Sequence, residues 1–127
     1  MIHRSHLSRY VLLPVLLVAG AVYSLAHHSY AEFLREQQIS VEGTIDRISF
    51  ANPHVIITLK TSAETYTLEW ASVGMLRAGG VENSTLAKGQ TIVATGSPRR
   101  TDAHYLSLLQ EVRRPSDGWN WARRPSE

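Results

Sequence analysis

Apolar and polar residues alternate along most of the chain after residue 38, with the period of two that is typical of β-strands. The run from Ile39 to Ile45 alternates in this way, and the apolar phase then moves to Ile48 and Phe50. A slip of one residue would turn every later side chain to the opposite face of the sheet. The pattern therefore predicts a bulge or sharp bend near Asp46-Arg47.

Four more segments have the pattern of strands, and one has the pattern of a short helix. Asn52-Pro53 ends the first strand, because proline has no backbone donor and asparagine favours turns. The further strands are predicted over residues 54–60, 65–70, 91–96 and 103–112. Between the third and fourth strands, Ser72 can cap a helical turn that stops at Gly79-Gly80.

This order of elements predicts an all-β fold, a five-stranded OB-like β-barrel with a short helix between strands 3 and 4. A small open sandwich is the alternative. Gly43 and the phase shift favour the barrel, because the corners of a barrel need such features. We expect the OB-like domain to cover residues 39–114, followed by a C-terminal tail over residues 115–127. Trp119 and Trp121 of this tail either pack on the barrel or dock a partner or a membrane surface.

The first 26 residues have the three-part order of a secretory signal peptide. Arg4 and Arg9 form a basic start, Tyr10 to Leu25 is apolar and uncharged, and Ser24 and Ala26 are the small residues that a signal peptidase reads. The apolar run is shorter than the roughly 20 residues of a membrane-spanning helix, which is the alternative. We expect cleavage after Ala26, a periplasmic protein, and contact with the membrane only through the signal peptide before cleavage.

Cleavage changes how the charge of the chain is interpreted. The full sequence has 13 Lys and Arg and 11 Asp and Glu, and loss of Arg4 and Arg9 leaves 11 of each. Proteins that bind the phosphate backbone of nucleic acids need a clustered surplus of basic residues. The equal numbers of basic and acidic residues after cleavage therefore argue against a nucleic-acid partner. About 100 residues remain, enough for one domain. The chain has no cysteine, which excludes disulfides and a lipoprotein anchor.

Residues 27–38 are predicted to form an N-terminal arm or a short helix. Ser29 and Glu32 fit a capping box, in which the hydroxyl and the carboxylate each satisfy a backbone donor. A helix starting at Tyr30 would lay Phe33 or Leu34 against the barrel.

Two histidine motifs and three further features carry a family resemblance: His27-His28-Ser29-Tyr30, Asn52-Pro53-His54, the strand with Gly43, Trp70 and the Leu86–Gly89 turn. They resemble a family of small exported bacterial proteins of unknown function. Its members read His-His-Ser-Phe at the mature N-terminus and Trp-x-Asn-Pro-His after the first strand. Tyr30 and Phe50 stand here for the usual Phe and Trp, and both keep an aromatic ring. The resemblance covers His27 to Val112 and implies an exported domain without an assigned activity.

The histidines suggest one specific chemistry. After cleavage, His27 would offer its α-amine and its imidazole Nδ1 as a chelate, groups that titrate near ~8 and ~6.5. A third nitrogen from His28, His54 or His104 would complete a nitrogen site that resembles a histidine brace and suits Cu(II). The candidate metal ligands are therefore His27, His28 and His54, with copper as the candidate cofactor. The alternative is that His27 and His28 are polar residues of a mobile terminus and that His54 only opens a strand.

Signals for catalysis are few. The sequence has no cysteine nucleophile, no Gly-x-Ser-x-Gly elbow and no phosphate-binding glycine loop. Glu42 and Glu69 occupy strand positions that we expect to face solvent. The sequence therefore predicts a non-catalytic binding module for a protein or small ligand, with copper binding as the alternative.

Overall fold

Six strands and one short helix make up residues 33–125, the part of the chain that the computed structural model describes. The elements are β1 (Ile39–Ser49), β2 (Ile56–Lys60), β3 (Thr65–Glu69), α1 (Val73–Ala78), β4 (Thr91–Arg99), β5 (Asp102–Arg114) and β6 (Trp119–Ala122). No helix within this range is long and apolar enough to cross a membrane.

The first five strands close into a barrel. β1 pairs with β2 and β4, β2 pairs with β3, and β4 pairs with β5, all antiparallel. A short parallel pairing of β3 with β5, Thr67 with Tyr105 and Leu68 with Leu106, completes the circuit. The helix lies between β3 and β4 in the chain, so the prediction of a five-stranded OB-like barrel is confirmed and the open sandwich is wrong.

The predicted bend in β1 is present where the apolar phase changes. The pairing of β1 with β2 shifts register between Ile45 and Arg47. The bend lets one strand serve two neighbours, because the half from Ile39 to Thr44 pairs with β4 and the half from Thr44 to Ser49 pairs with β2. The phase shift in the sequence is therefore the mark of a barrel corner.

Inward-facing side chains from every barrel strand form a single core. The largest fully buried ones are Ile45, Ile57, Leu59, Leu68, Leu76, Ile92, Leu106 and Leu109. The short helix contributes Leu76. As predicted, Ser72 caps this helix, its Oγ accepting a hydrogen bond from the Met75 amide at 3.3 Å, and Gly79 ends it.

The segment after β5 differs from the predicted tail, because it turns back and adds a sixth strand to the sheet. Asp117 organises the turn: its carboxylate accepts two hydrogen bonds from the Arg114 guanidinium, at 3.0 and 2.8 Å, and one from the Trp119 amide. The rings of Trp121 and Trp70 then pack edge to face, with centroids 5.1 Å apart. The residues predicted to break β5 form the turn of a hairpin, and the tryptophans pack on the barrel.

The N-terminal arm is described from Phe33 onward. Phe33 is buried, 7% exposed, and forms an isolated antiparallel bridge with Arg99. The prediction that Phe33 packs on the barrel is confirmed, but residues 33–38 form this bridge and a turn in place of a helix. The reason is that the Leu34 amide donates to the Pro98 carbonyl at 3.0 Å, which ties the arm to β4 as an extended segment. Residues 1–26, predicted to be a signal peptide, and the first six residues of the arm lie outside the described range.

Candidate functional site

A histidine, a glutamate and a tyrosine meet on the outer side of the barrel, beside the seam that closes it. His54 Nδ1 lies 3.0 Å from Glu69 Oε1, and the Tyr105 hydroxyl donates to Glu69 Oε2 at 2.6 Å. Each carboxylate oxygen therefore has one partner. We call these three residues the His54 cluster.

Strand pairing brings the three side chains together. Leu68 and Leu106 point into the core, so Glu69 and Tyr105, their neighbours in sequence, point to the outer face. The parallel pairing of β3 with β5 sets Tyr105 opposite Thr67, so Glu69, two residues further along β3, lies diagonally across the seam from Tyr105. Their phenol–carboxylate hydrogen bond thus crosses the closing seam.

The turn before β2 positions His54. The Asn52 side-chain oxygen accepts a hydrogen bond from the Val73 amide at 3.0 Å, which ties the turn to the start of α1. Val55, the next residue after His54, exchanges backbone hydrogen bonds with the two residues that follow β3, donating to the Ala71 carbonyl and accepting from the Trp70 amide. The imidazole is therefore presented from an anchored segment.

The environment of the cluster keeps its phenol neutral. The Glu69 side chain is only 17% exposed, whereas that of His54 is 50% exposed. Burial, followed by the hydrogen bond to Glu69, raises the pKa of Tyr105 to about 12. The phenol therefore keeps its proton at neutral pH and remains a hydrogen-bond donor to Glu69.

A cation and a second ring border the cluster. The Arg99 guanidinium carbon lies 4.0 Å from the centroid of the Tyr105 ring and 5.5 Å from that of Phe33. The Phe33 and Tyr105 rings are themselves 6.2 Å apart. Phe33, the first described residue of the arm, therefore lies next to Tyr105.

His54 is the member of the cluster that is available for a ligand. Because its Nδ1 faces the carboxylate, its second ring nitrogen, Nε2, is the atom left to bind a metal or to accept a hydrogen bond when neutral. A carboxylate partner on one imidazole nitrogen is the usual way in which proteins orient a metal-binding histidine. The same arrangement also orients a histidine for hydrogen bonding to an organic ligand.

The predicted metal ligands are distributed as follows. His54 belongs to the cluster, and His27 and His28 lie outside the described residues. His104, the other candidate for a third nitrogen, contacts the Tyr66 ring edge to face, with centroids 5.0 Å apart. Within residues 33–125, no three or more His, Cys, Asp or Glu side chains are grouped closely enough to hold a metal ion.

Two members of the cluster were not identified as a site from the sequence. Glu69 was expected to face solvent, and it does point away from the core, but His54 and Tyr105 shield it. No sequence feature marked Tyr105 as a site residue. Only the predicted fold could have identified it, because an OB-like strand order places the outward residues of β3 beside those of β5.

The sequence matches a known protein family. The model of a family of unknown function (DUF6152) matches residues 15–107. This range is most of the chain and contains the whole His54 cluster, while β6 lies beyond it. No curated protein matches the chain.

Proposed function

The chain belongs to this family of unknown function, and we propose that it is an exported, non-catalytic binding module whose ligand site is the His54 cluster. The observation that carries the proposal is the shared Glu69 carboxylate, which holds His54 and Tyr105 in place on the outer side of the barrel. OB-like barrels present ligand-binding residues on the face of strands 2 and 3 and on the neighbouring loops. The fold alone does not decide function, so the argument depends on the cluster.

The cluster is organised before any ligand arrives. Both partners of the carboxylate are fixed by hydrogen bonds, and the Arg99 guanidinium packs on the Tyr105 ring. A ligand that contacts His54 Nε2 therefore orders few additional side chains on binding, which lowers the entropic cost of association. The half-exposed imidazole makes the site accessible to small ligands.

One member of the cluster, Tyr105, is poorly suited to acid–base catalysis, which supports the non-catalytic part of the proposal. A general acid or base works best when its pKa lies near the operating pH. The pKa of Tyr105 is raised to about 12, which is far from neutral. The phenol therefore serves to hold Glu69 and does not exchange protons with a substrate at neutral pH.

The site is tested by ligand-induced thermal stabilisation of paired variants. We would screen Cu(II), Zn(II), amino acids and oligosaccharides against the wild type, Glu69→Gln and Glu64→Gln, the last of which removes an exposed carboxylate of the β2–β3 turn. A ligand at 100 times its Kd should stabilise the folded state by ~2.7 kcal/mol. This gain should disappear in Glu69→Gln and persist in Glu64→Gln. Equal stabilisation of all three proteins would contradict the proposed site.

Export is part of the same proposal and is supported by the order of basic, apolar and small residues over residues 1–26. The intact mass of the protein from the periplasm of an expressing cell tests it. A chain that begins at His27 is the expected result, and a chain that keeps the leader would contradict it.

Copper binding is the second candidate function, and the orientation of His54 favours it. The Nδ1–carboxylate contact leaves Nε2 as the coordinating atom, the arrangement typical of histidine ligands. The arm enters at Phe33, beside Tyr105. His28 is five residues before Phe33, and a chain of that length can extend over about 17 Å. A site shared by His27 and His54 requires the arm to bring the α-amine of His27 back to His54.

Calorimetric titration with Cu(II) tests this candidate on the cleaved protein. His27→Ala and His54→Ala are each expected to weaken Cu(II) binding by at least about tenfold, because second- and first-shell losses at metal sites cost 10–100-fold or more. His104→Ala, whose imidazole contacts Tyr66, is the control and should bind as the wild type does. Unchanged affinity in His54→Ala would exclude the His54 cluster as a metal site.

A further inference from the structure

A second surface of the barrel has features of a binding site and shares no residue with the His54 cluster. An open groove of about 610 Å³ runs between α1 and β6. Met75 and Trp121 supply its large apolar side chains, and Met75 is 67% exposed, the one large apolar side chain in residues 33–125 with such exposure. Gly79 keeps the groove open next to Trp121, because a Cβ there would lie 3.0 Å from the indole nitrogen.

The groove lies along the open edge of the sheet. In the described part of the chain, β6 is the last strand and pairs only with β5. The Arg123 amide donates to the Gln110 carbonyl, and alternation along an antiparallel ladder then directs the backbone groups of Asn120 and Ala122 away from β5. An edge of this kind can accept an additional strand from another chain.

The charge along the groove has one sign. Arg123 and Arg124 line it, and no acidic residue does. Each guanidinium donates one hydrogen bond to a backbone carbonyl, Arg123 to Leu109 and Arg124 to Ala78, and neither pairs with a carboxylate of residues 33–125. The nearby Arg77 differs, because it already pairs with Glu82 at 3.2 Å.

We propose that the groove between α1 and β6 binds an extended, acidic polypeptide segment that adds a strand to the edge of β6. Asn120 and Ala122 would exchange backbone hydrogen bonds with the segment, Met75 and Trp121 would contact its apolar side chains, and Arg123 and Arg124 would pair with its carboxylates. The open strand edge favours a polypeptide over an anionic membrane, since lipids cannot continue a hydrogen-bonded ladder.

Fluorescence anisotropy with a defined probe tests the proposal on the protein as the expressing cell produces it. The probe is a short, labelled peptide with capped ends that alternates valine and glutamate, and its controls are a valine–lysine peptide and a valine–glutamate peptide N-methylated at alternate residues. We expect the acidic peptide to bind, with an affinity that falls as salt rises. Both control peptides should bind at least about tenfold more weakly. The lysine peptide has the opposite charge, and the N-methylated peptide lacks backbone donors at the methylated residues.

Three variants locate the binding surface. Asn120→Pro removes an outward backbone donor from an edge strand, a position where proline is tolerated, and should weaken binding about fivefold. Arg124→Glu reverses a charge of the groove and should weaken it about tenfold. Arg47→Glu reverses an exposed charge on β1 and should bind as the wild type does. Circular dichroism confirms that each variant is folded.

Three results would overturn the proposal. One is the absence of binding of the acidic peptide to the folded wild type. Another is equal binding by wild type, Asn120→Pro and Arg124→Glu. The third is a different occupant of the groove. Binding to phosphatidylglycerol vesicles but not to the peptide would assign the groove to a membrane, and a dimer in sedimentation experiments that is lost in Asn120→Pro would assign it to a second copy of the chain.

Discussion

Adding a single methyl group at Gly43 tests whether the barrel closes as described. Gly43 is buried in β1 just before the bend, where β1 changes partners from β4 to β2. A Cβ at this position would lie 2.5 Å from the Lys60 carbonyl oxygen and 3.0 Å from Leu59 Cγ. The nearer contact is with backbone, so the strands themselves must move to accept an alanine.

The expected loss of stability follows from that contact. Overpacking a well-packed core costs typically 1–3 kcal/mol, and here the displaced group is the end of β2, which pairs with both β1 and β3. We therefore expect Gly43→Ala to lower the free energy of unfolding by about 3 kcal/mol. For a domain of this size, that loss corresponds to a decrease in Tm of roughly 12–24 °C.

Gly74→Ala adds the same methyl group and should have the opposite effect. Gly74 lies in α1, and a Cβ there would meet nothing within 4 Å. Glycine within a helix is destabilising by roughly 0.5–1 kcal/mol relative to alanine. The free energy of unfolding of this variant should therefore rise by about that amount. The two substitutions are chemically identical and differ only in surroundings.

Urea unfolding followed by tryptophan fluorescence and circular dichroism measures both variants. The midpoint should fall for Gly43→Ala and rise for Gly74→Ala, with the slope unchanged in each case. If Gly43→Ala remained within about 0.5 kcal/mol of the wild type, β1 and β2 could not approach as closely as described, because a clash with backbone costs more than that. A lower midpoint for Gly74→Ala would contradict the observation that a Cβ at position 74 meets no other atom within 4 Å.

Further predictions concern the ionisable groups and the added strand. Glu69→Gln should lower the pKa of Tyr105 from about 12, because the carboxylate is lost while burial remains, and ultraviolet titration of the phenolate measures it. Because the folded state raises this pKa above the unfolded value near 10, the contribution of Tyr105 to stability should be complete below pH ~10 and be lost as the pH rises toward ~12, which urea unfolding at several alkaline pH values checks. Trp121→Ala should lower the free energy of unfolding by about 2 kcal/mol, because the ring contact with Trp70 at 5.1 Å is lost, and Trp121→Phe should recover part of it. The pKa of Asp117 is lowered, first by its hydrogen bond from the neighbouring guanidinium, so the order of the β5–β6 turn should be complete above the ordinary aspartate pKa and be lost at lower pH. Hydrogen exchange of the turn amides across the acid range measures this loss, and Asp117→Asn should remove the pH dependence.

The barrel could be predicted because its distinctive features are local in sequence. The phase shift at Asp46 marks the bend, Ser72 and Gly79 mark the ends of the helix, and the regular alternation of the strands separates inward from outward residues. Each of these features is set by neighbours a few residues away. The order of the elements then leaves few ways to bury the apolar faces.

β6 was missed although its pattern is present. Pro115 and Gly118 indicate an interruption, and the same residues serve equally well in a hairpin turn, where Gly118 adopts a φ of 75°. The alternation of Trp119, Asn120 and Trp121 is that of a strand. A run of four residues is too short to distinguish a strand from an extended tail. The distinction requires knowing that one edge of β5 is free to pair.

The His54 cluster could not be predicted, because its members are far apart in the chain. Glu69 and Tyr105 are separated by 36 positions, and they meet only because β3 and β5 pair in parallel. The alternation in β3 correctly turned Glu69 away from the core. No pattern within β3 indicates that a tyrosine and a histidine would cover its carboxylate.

The cluster and the closure of the barrel depend on the same contact. The parallel ladder between β3 and β5 has only two residue pairs, the shortest in the barrel, and the hydrogen bond from Tyr105 to Glu69 adds a side-chain connection across it. His54 extends this connection to the segment that leads into β2. A ligand that binds His54 in the folded state therefore stabilises the seam by mass action. Binding should accordingly be detected first as slower hydrogen exchange at the β3–β5 pair, because this ladder has the fewest backbone bonds to resist local opening.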